Sequence, residues 1–313
     1  MLKRVVIFGG YGAVGREAAK VLAVWFPEIV VAGRDLAKAR AVPGAVPMRV
    51  DLRDDGGMWR ALDGADAVLM CVDEGNALVA EACLERGVHY VDVSASEDVL
   101  ARVGRLGSAD ATAVLGVGLA PGVTNLLARL CGGAEVDVGV LLGTGERHGR
   151  AAVEWTLDAL REVGPSWRMR FPGPFGRRTV HRFPFPSLGA AGVRTGLCLD
   201  SRVLTALFTG PVARLARTRK GRAAALGVLT RVHAGGDRFA VVATAPDGRT
   251  VSFGGRSQSR ATGLAAALVL RSLPDMPAGV HALDRVVEPG AFLRELSTYG
   301  FDLDGTLGWR DFS

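Results

Sequence analysis

Short apolar runs alternate with helix-like patterns through the first 125 residues of the chain. The apolar runs predict six strands, at 5–9, 29–33, 47–52, 66–72, 88–93 and 112–118. Helical periodicity fills the intervals, at 13–24, 35–41, 57–63, 76–86 and 97–105. The strands are almost continuously apolar, as in parallel sheets that helices cover on both faces. The repeated β-α-β order therefore predicts an α/β fold with a doubly wound parallel sheet and right-handed crossovers.

The pattern changes after about residue 125, where a second, α+β domain is expected. Its predicted elements are a strand, an amphipathic helix and a hairpin with a "PDG" turn, over 135–145, 151–163 and 239–253. A strong helix follows over 257–273, with Ser257 or Ser259 as its N-cap and Pro274 beyond its end. The stretch 164–187 is rich in Gly, Pro, Phe and Arg and is interpreted either as a substrate lid or as a surface loop.

Composition narrows the class of protein. The 313 residues are 49% hydrophobic and 22% charged, which suits a globular chain of one large or two ordinary domains. Four scattered cysteines favour a reducing cytoplasm over a disulfide framework, and their spacing predicts no metal site. The apolar run at 5–9 is too short and too soon interrupted by glycines for a signal peptide or a membrane span.

The chain is basic, with a net charge of +6 and a pI of about 9.5. The densest basic patch, 214–222, lacks interleaved aromatic residues, so we interpret it as a solvated helix end or loop and expect no nucleic-acid partner. Diffuse arginine also suits a phosphate-bearing cofactor or an acidic substrate.

Glycines form a G-x-G-x-x-G motif at the first strand-to-helix turn. Gly10 permits the turn, Gly12 lets a diphosphate approach the backbone, and Gly15 lets the helix pack on the sheet. The N-terminus of the following helix offers free N–H groups to the phosphates. The strand before and the helix after it are the context that this motif requires. The predicted cofactor-binding residues here are Gly9, Gly10, Tyr11, Gly12, Ala13, Val14 and Gly15.

The tip of the second strand predicts which dinucleotide binds. An NAD-preferring site places Asp or Glu there, whereas this chain has Gly33 and Arg34. A guanidinium pairs with a 2′-phosphate, and Gly33 leaves room for it, so NADP(H) is favoured over NAD(H). Asp35 is expected to cap the next helix.

The ends of the third and fourth strands add further candidates. Asp51 either bonds the adenine side of the cofactor or caps the next helix. Cys71 and Val72 end the strand that passes the middle of the cofactor. Cys71 has no neighbouring base in the sequence, so we interpret it as a small core residue rather than a nucleophile.

Three stretches carry a family resemblance. "CVDEGNALVAEACLERGVHYVDVSA" (71–95), "LGVGLAPGVTNLLA" (115–128) and the late segment 254–301, together with the glycine motif, resemble the saccharopine dehydrogenase-like family of NAD(P)-dependent reductases. The resemblance covers the first 128 residues and about the last 60, and the middle matches only through "RFPFPS" (182–187).

The resemblance implies an N-terminal Rossmann domain (1–125, completed by 257–313) and an inserted α+β substrate domain (126–256), which could also dimerise. It implies a substrate cleft between the domains, against the nicotinamide. It places two groups of residues at strand ends, Asp92 and Ser94 toward the cofactor, and Pro121, Gly122, Thr124 and Asn125 toward the substrate. Many relatives that handle amino acids carry Asp before the Pro-Gly pair, where this chain has Ala120, which weakens the case for the saccharopine reaction itself.

Candidate chemistry follows from what a hydride transfer needs. The cofactor supplies the hydride, and the protein must supply a proton donor within a few ångströms of the receiving atom. The candidate donors are Glu146, His148 and Tyr90, with Arg147 and His181 as substrate-binding candidates. Each histidine is also open to a plain structural interpretation.

Three functions remain open. One is NADPH-dependent reduction of a C=N bond in a small amino-acid-, opine- or polyamine-like metabolite. Another is trans-acting reduction of a C=C bond in a carrier-bound lipid or polyketide intermediate, which a cleft lined by Phe171, Phe175, Phe183 and Phe185 would suit. The third is a non-catalytic module that only binds NADP(H).

Overall fold

The computed structural model describes residues 2–132, 135–146, 150–186, 192–229 and 235–305. The chain divides into two compact units. The first comprises Met1–Leu119 and Ser259–Val286, and the second comprises Ala120–Gln258 and Val287–Ser313.

Fourteen strands lie within the described residues. They are β1 (Arg4–Phe8), β2 (Glu28–Gly33), β3 (Val46–Arg49), β4 (Ala67–Met70), β5 (His89–Asp92), β6 (Thr112–Leu115), β7 (Asp137–Leu142), β8 (Ser166–Phe171), β9 (Gly176–Arg182), β10 (Arg194–Leu199), β11 (Arg238–Thr244), β12 (Thr250–Arg256), β13 (Gly279–Ala282) and β14 (Asp302–Gly305).

The α-helices of the described residues follow the same order. They are α1 (Ala13–Trp25), α2 (Leu36–Arg40), α3 (Asp55–Leu62), α4 (Asn76–Glu85), α5 (Glu97–Val103), α6 (Thr124–Leu130), α7 (Arg150–Ala159), α8 (Arg202–Leu207), α9 (Ala213–Ala216), α10 (Arg219–Leu229), α11 (Gln258–Ser272), α12 (Leu283–Val286) and α13 (Pro289–Ser297). None of the described helices is both long enough and apolar enough to cross a membrane.

The first unit is built on a parallel sheet with the strand order β13-β6-β5-β4-β1-β2-β3. Its interior strand β1 lies between β4 and β2 and is buried, which explains the unbroken apolar run of its sequence. The register places Phe8, Ala32, Met70 and Asp92 in one row across four neighbouring strands. The loops that follow these residues therefore meet at the carboxyl edge of the sheet, where ligands bind in doubly wound folds.

The second unit is built on a mixed sheet with the strand order β14-β12-β11-β7-β10-β9-β8. Strands β7 and β10 run parallel, and the other pairs are antiparallel. The predicted α/β fold class, with an inserted second domain and a returning C-terminal segment, is confirmed.

Two predictions about the second half of the chain need correction. The segment 164–187, predicted as a lid or a surface loop, contains the antiparallel pair β8 and β9 and forms the outer edge of the second sheet. The return of the segment 257–313 to the first domain stops at Val286, because β14 pairs with β12 in the second unit. Polar and small or apolar residues alternate along β14, so its sequence lacks the continuous apolar run that predicted the strands of the first sheet.

Candidate active site

The first crossover of the parallel sheet is a loop of glycines between β1 and α1. Gly9 has a φ of 77°, in the left-handed region that favours glycine. The N–H of Gly12 donates to the carbonyl of Gly9 at 2.8 Å, and Gly12 is the N-cap of α1 with extended backbone. The loop thus turns the strand directly into the helix at the carboxyl edge of the sheet.

Three of the glycines are required by packing. A Cβ on Gly9 would lie 2.5 Å from Cγ1 of Val72, and a Cβ on Gly10 would lie 2.9 Å from Cγ2 of Val31. A Cβ on Gly15 would lie 2.6 Å from the Cα of Gly10, where the contact is with backbone and cannot be relieved by a rotamer change. These positions explain why the loop is so rich in glycine without any reference to a ligand.

Gly12 is different, because the fold itself barely requires it. Its φ of −72° and ψ of 175° suit any residue, and an added Cβ would meet only the Gly9 carbonyl oxygen, at 3.1 Å. The residue is exposed at the start of α1, which has no side-chain cap and no acidic residue in its first turn. Bare backbone and unsatisfied N–H groups at a helix N-terminus fit the diphosphate of a dinucleotide.

The space above Gly33, at the tip of β2, is filled by the ring of Tyr11. A Cβ on Gly33 would lie 2.5 Å from Cε1 of Tyr11, and the Tyr11 hydroxyl accepts from the N–H of Asp35 at 3.4 Å. The expectation that Gly33 leaves room for a phosphate group is therefore wrong in this structure. The glycine instead admits an aromatic ring from the first loop, which ties the two strand ends together.

Arg34 is exposed beside this ring and faces two other charged residues. Its guanidinium lies 3.8 Å from a carboxylate oxygen of Glu74, which also lies 3.6 Å from Nε of Arg53. These ion pairs are solvent-exposed and weak, so an incoming phosphate can compete for either arginine. A role for Arg34 toward the 2′-phosphate stays a prediction, and the same ion-pair cluster contains Arg53, which the sequence analysis did not single out.

The acidic residues near this edge hold local structure. Asp35 caps α2 by accepting from the N–H of Lys38 at 3.1 Å, as predicted. Asp54, not Asp51, caps α3, so the capping alternative for Asp51 is wrong. Both carboxylate oxygens of Asp51 instead accept from the Arg53 guanidinium, which lowers the pKa of Asp51 to about 2. A role for Asp51 toward adenine stays a prediction.

A buried polar network ends β5. The carboxylate of Asp92 is completely buried and accepts from the Tyr90 hydroxyl at 2.6 Å, from Nδ2 of Asn76 at 3.0 Å, and from the N–H of Ser94 at 2.7 Å. Burial raises the pKa of Asp92 to about 6, and these donors only partly offset the rise. This carboxyl group thus changes its protonation state close to neutral pH, at the edge where the glycine loop lies.

The position of Tyr90 does not support its predicted role as a proton donor to a substrate. Its ring is 0% exposed, and its hydroxyl donates to Asp92 within the sheet. Burial, followed by the Asp92 charge, raises the pKa of Tyr90 well above its usual range. A phenol that is enclosed and held this way positions the carboxylate instead of meeting a substrate.

The comparison with family models agrees with the geometry of the glycine loop. Residues 5–114 match the family model of the saccharopine dehydrogenase NADP-binding domain. Residues 5–114 are therefore similar to a saccharopine dehydrogenase NADP-binding domain. The matched domain is an NADP-binding domain of an oxidoreductase family, so the predicted preference for NADP(H) is confirmed.

Comparison with solved structures extends the likeness to the whole fold. An apo saccharopine dehydrogenase (L-Glu forming) from Saccharomyces cerevisiae superposes with a TM-score of 0.64 at 15% identity, over 97% of this chain and 100% of its own. At that identity the likeness shows the fold alone. No curated protein matches the sequence.

Two partial matches were also found. A short-chain dehydrogenase/reductase from Veillonella parvula, in complex with NADP, covers 29% of this chain and 47% of its own, at 17% identity and TM-score 0.26. Pen from Bacillus thuringiensis covers 36% and 49%, at 16% identity and TM-score 0.31. These partial overlaps support no conclusion about this chain.

Asn76 is a second residue at this edge of the sheet, after Arg53, that the sequence analysis missed. It begins α4 after Gly75, is 3% exposed, and its buried Oδ1 has no hydrogen-bond partner in the described structure. Cys71, directly after β4, is partly buried, and loss of solvation with the Asp92 charge raises the pKa of its thiol. A polar residue directly after the fourth strand was the available sequence signal for Asn76.

The predicted substrate residues that follow β6 belong to the second unit. Pro121 follows Ala120 through a cis peptide, and Gly122 has a φ of 123°, which only glycine adopts readily. The Thr124 hydroxyl donates to Oδ1 of Asn125, whose buried Nδ2 has no partner in the described structure. Such an amide suits a binding group, and its role toward a substrate stays a prediction.

The predicted Glu146, Arg147 and His148 cluster is only partly visible. Arg147 and His148 lie outside the described residues. Glu146 accepts from the Ser257 hydroxyl at 3.2 Å and from the N–H of Gln258, the first residue of α11, at 2.8 Å. Glu146 therefore caps that helix, a structural role that the sequence prediction of a proton donor did not foresee.

His181 lies on β9 near an arginine-rich cavity of the second unit. Its Nε2 lies 3.4 Å from the Thr209 hydroxyl, and partial burial lowers its pKa. No group of three or more His, Cys, Asp or Glu residues in the described ranges forms a metal site.

Proposed function

We propose that this protein is an NADPH-dependent reductase of a C=N bond in a small amino-acid- or polyamine-like metabolite. The observation that carries the proposal is the buried, titratable Asp92 on the same carboxyl edge as the NADP-binding glycine loop. When bound, NADPH supplies a hydride to the imine carbon, and the nitrogen takes a proton from the protein or from water. The products are an amine and NADP⁺.

The negative charge of ionised Asp92 favours reduction of an imine over reduction of an enoyl thioester. An imine is reduced as its protonated, cationic form, which a buried carboxylate stabilises. Reduction of an enoyl thioester develops negative charge on the carbonyl oxygen, which the same carboxylate would oppose. Tyr90 and Asn76 hold Asp92 in place, so the charge needs no rearrangement during the reaction.

The packing of the phenylalanines removes the support for the C=C alternative. Phe171, Phe183 and Phe185 are 2%, 1% and 7% exposed. Phe183 and Phe185 stack with Trp155, while Phe175 packs against the core cluster that contains Phe171. These rings are core residues, so the predicted apolar cleft lining is wrong.

A substrate screen tests the proposal. NADPH oxidation is followed with a cyclic imine, with amine and 2-oxoacid mixtures that form imines in solution, and with an enoyl thioester. We expect turnover of an imine. Asp92→Asn should lower kcat by roughly 10²–10³-fold, as for loss of a preorganised charge, whereas the exposed control Asp63→Asn should leave it unchanged.

The pH profile separates a chemical role from a structural one. If ionised Asp92 is needed, kcat/KM should fall below its pKa of about 6 in the wild type, and the Asp92→Asn variant should lack this limb. Faster turnover of the enoyl thioester than of every imine would overturn the proposal. Tight NADPH binding without turnover of either class would indicate the non-catalytic alternative.

A further inference from the structure

The outer edge of the second sheet carries a row of arginines on one face. In the β8–β9 pair, Arg170 stands opposite Arg177, Arg168 opposite Thr179, and Ser166 opposite His181. Cross-strand partners share a face, and alternate residues of a strand return to it. Arg168, Arg170, Arg177, Thr179 and His181 therefore form one surface, named here the arginine face.

This arrangement is unfavourable for the isolated protein. Like charges directly opposite each other destabilise an antiparallel pair. Other arginines of the second unit have acidic partners: Arg194 lies 2.6 Å from Asp137, and Arg222 lies 2.7 Å from Asp158.

The arginine face has no such compensation. No carboxylate among the described residues lies within ion-pair distance of Arg168, Arg170, Arg177 or Arg202. The missing negative charge is what an anionic ligand would provide.

A cavity lies over part of this face. Its volume is about 450 Å³, and its lining includes Arg168, Arg177, Arg178 and Arg202, with the hydroxyls of Thr179 and Thr205. Helix α8 forms one wall, anchored because the Thr205 hydroxyl accepts from the N–H of Leu199 at 2.9 Å. Nε of Arg178 is buried without a hydrogen-bond partner.

We propose that this cavity binds a small-molecule anion that carries at least two negative charges, either a phosphoryl compound or a dicarboxylate. Guanidinium groups pair bidentately with both kinds of oxyanion, and the Thr179 hydroxyl offers one further hydrogen bond. The guanidinium groups without an ion-pair partner together carry more positive charge than one carboxylate can neutralise. The ligand should therefore carry more than one negative charge. The inference does not depend on the NADP site, which lies in the other unit.

Calorimetric titration with sodium diphosphate and with sodium succinate, at ionic strength held constant with NaCl, tests the proposal. We expect saturable binding of at least one probe. Arg177→Gln and Arg202→Gln should each weaken it by at least about tenfold, the loss expected for one charge-assisted hydrogen bond. The stronger probe then identifies the ligand as phosphoryl or dicarboxylate.

Two matched variants control the experiment. Arg214→Gln removes an exposed arginine of α9 in the same unit, and Arg105→Gln removes an exposed arginine of the other unit. Both variants should bind each probe with an affinity within about twofold of that of the wild type. Thermal melts confirm that each variant folds. Absence of saturable binding for both probes, or equal weakening by Arg214→Gln, would overturn the proposal.

Discussion

The two sheets of this molecule differ in how their proposed anion sites are built. At the edge of the parallel sheet, the glycine loop exposes backbone N–H groups, and three of its glycines have no room for a Cβ. On the mixed sheet, arginine side chains stand opposite one another across β8 and β9. The first region depends on glycines, which have no side chain, and the second depends on the long side chains of arginines.

The difference teaches how each site is specified. The glycine loop depends on residues within one strand, turn and helix, so its geometry is encoded locally. The arginine face exists only because β8 and β9 pair in one register, and a shift of one residue would send every second side chain to the other face. Local sites survive rearrangement of the rest of a fold, and register-dependent sites do not.

The largest effect is expected inside the glycine loop. Gly15→Ala places a Cβ 2.6 Å from the Cα of Gly10, so α1 must shift. We expect loss of measurable NADPH binding and a fall in the free energy of unfolding of about 1–3 kcal/mol, as for overpacking. Fluorescence titration and urea unfolding measure the two quantities.

Gly12→Ala is the matched control for that change. The fold tolerates this Cβ, so stability should stay nearly unchanged while NADPH affinity falls by at least about tenfold, or 1.4 kcal/mol. Equal losses of stability in the two variants would contradict the view that Gly12 serves the ligand and Gly15 the packing.

The buried carboxyl of Asp92 predicts a pH-dependent stability. Its pKa rises from 3.8 to about 6 on folding, so the folded state keeps this proton over the range in which the unfolded state has lost it. Stability from this group is therefore complete below about pH 4 and is lost as the pH rises through 6. The difference is on the order of 3 kcal/mol, at 1.36 kcal/mol for each unit of pKa.

Urea unfolding at pH 4, 5, 6 and 7 checks this expectation in the wild type and in Asp92→Asn. The wild-type protein should lose stability relative to the variant as the pH rises over this range. Parallel pH dependence in the two proteins would show that Asp92 titrates at its ordinary value, and the predicted fall of kcat/KM below about pH 6 would then lose its basis.

A smaller effect is expected at Arg34. Arg34→Ala removes one charge-assisted contact with the 2′-phosphate, so NADPH affinity should fall by about tenfold. NADH affinity should hold within about twofold, since that dinucleotide lacks the phosphate. Arg105→Ala, an exposed change after α5, is the control. An equal loss for both dinucleotides would assign Arg34 to general charge instead of phosphate recognition.

The smallest effect concerns Glu146. Glu146→Gln weakens the cap of α11 and should lower the free energy of unfolding by about 1 kcal/mol, in the range of capping substitutions. The exposed Glu162→Gln serves as control. If Glu146 serves only as a helix cap, kcat of Glu146→Gln at 25 °C should stay unchanged. A large fall in kcat without loss of stability would instead support the sequence prediction that Glu146 is a proton donor.

Much of the first unit was accessible from the sequence. The unbroken apolar runs and the glycine motif predicted the parallel sheet and the NADP site because both follow from neighbouring residues. Tyr11 over Gly33 and Asn76 beside Asp92 were not accessible, since each contact joins two strand ends that only the sheet brings together. Phe171 and Phe183 looked like cleft residues because composition does not reveal which side of a strand faces the core.

The amino-acid sequence was enough to predict the order of the first sheet's elements and the glycine turn between β1 and α1, because periodicity and glycine placement act over a few residues. Tertiary structure decided the protonation behaviour of Asp92, the use of Glu146 as a helix cap and the grouping of the arginines. Those properties depend on burial and on contacts between residues far apart in the chain, such as Asn76 with Asp92 and Glu146 with Gln258. Such contacts arise only when the sheets assemble.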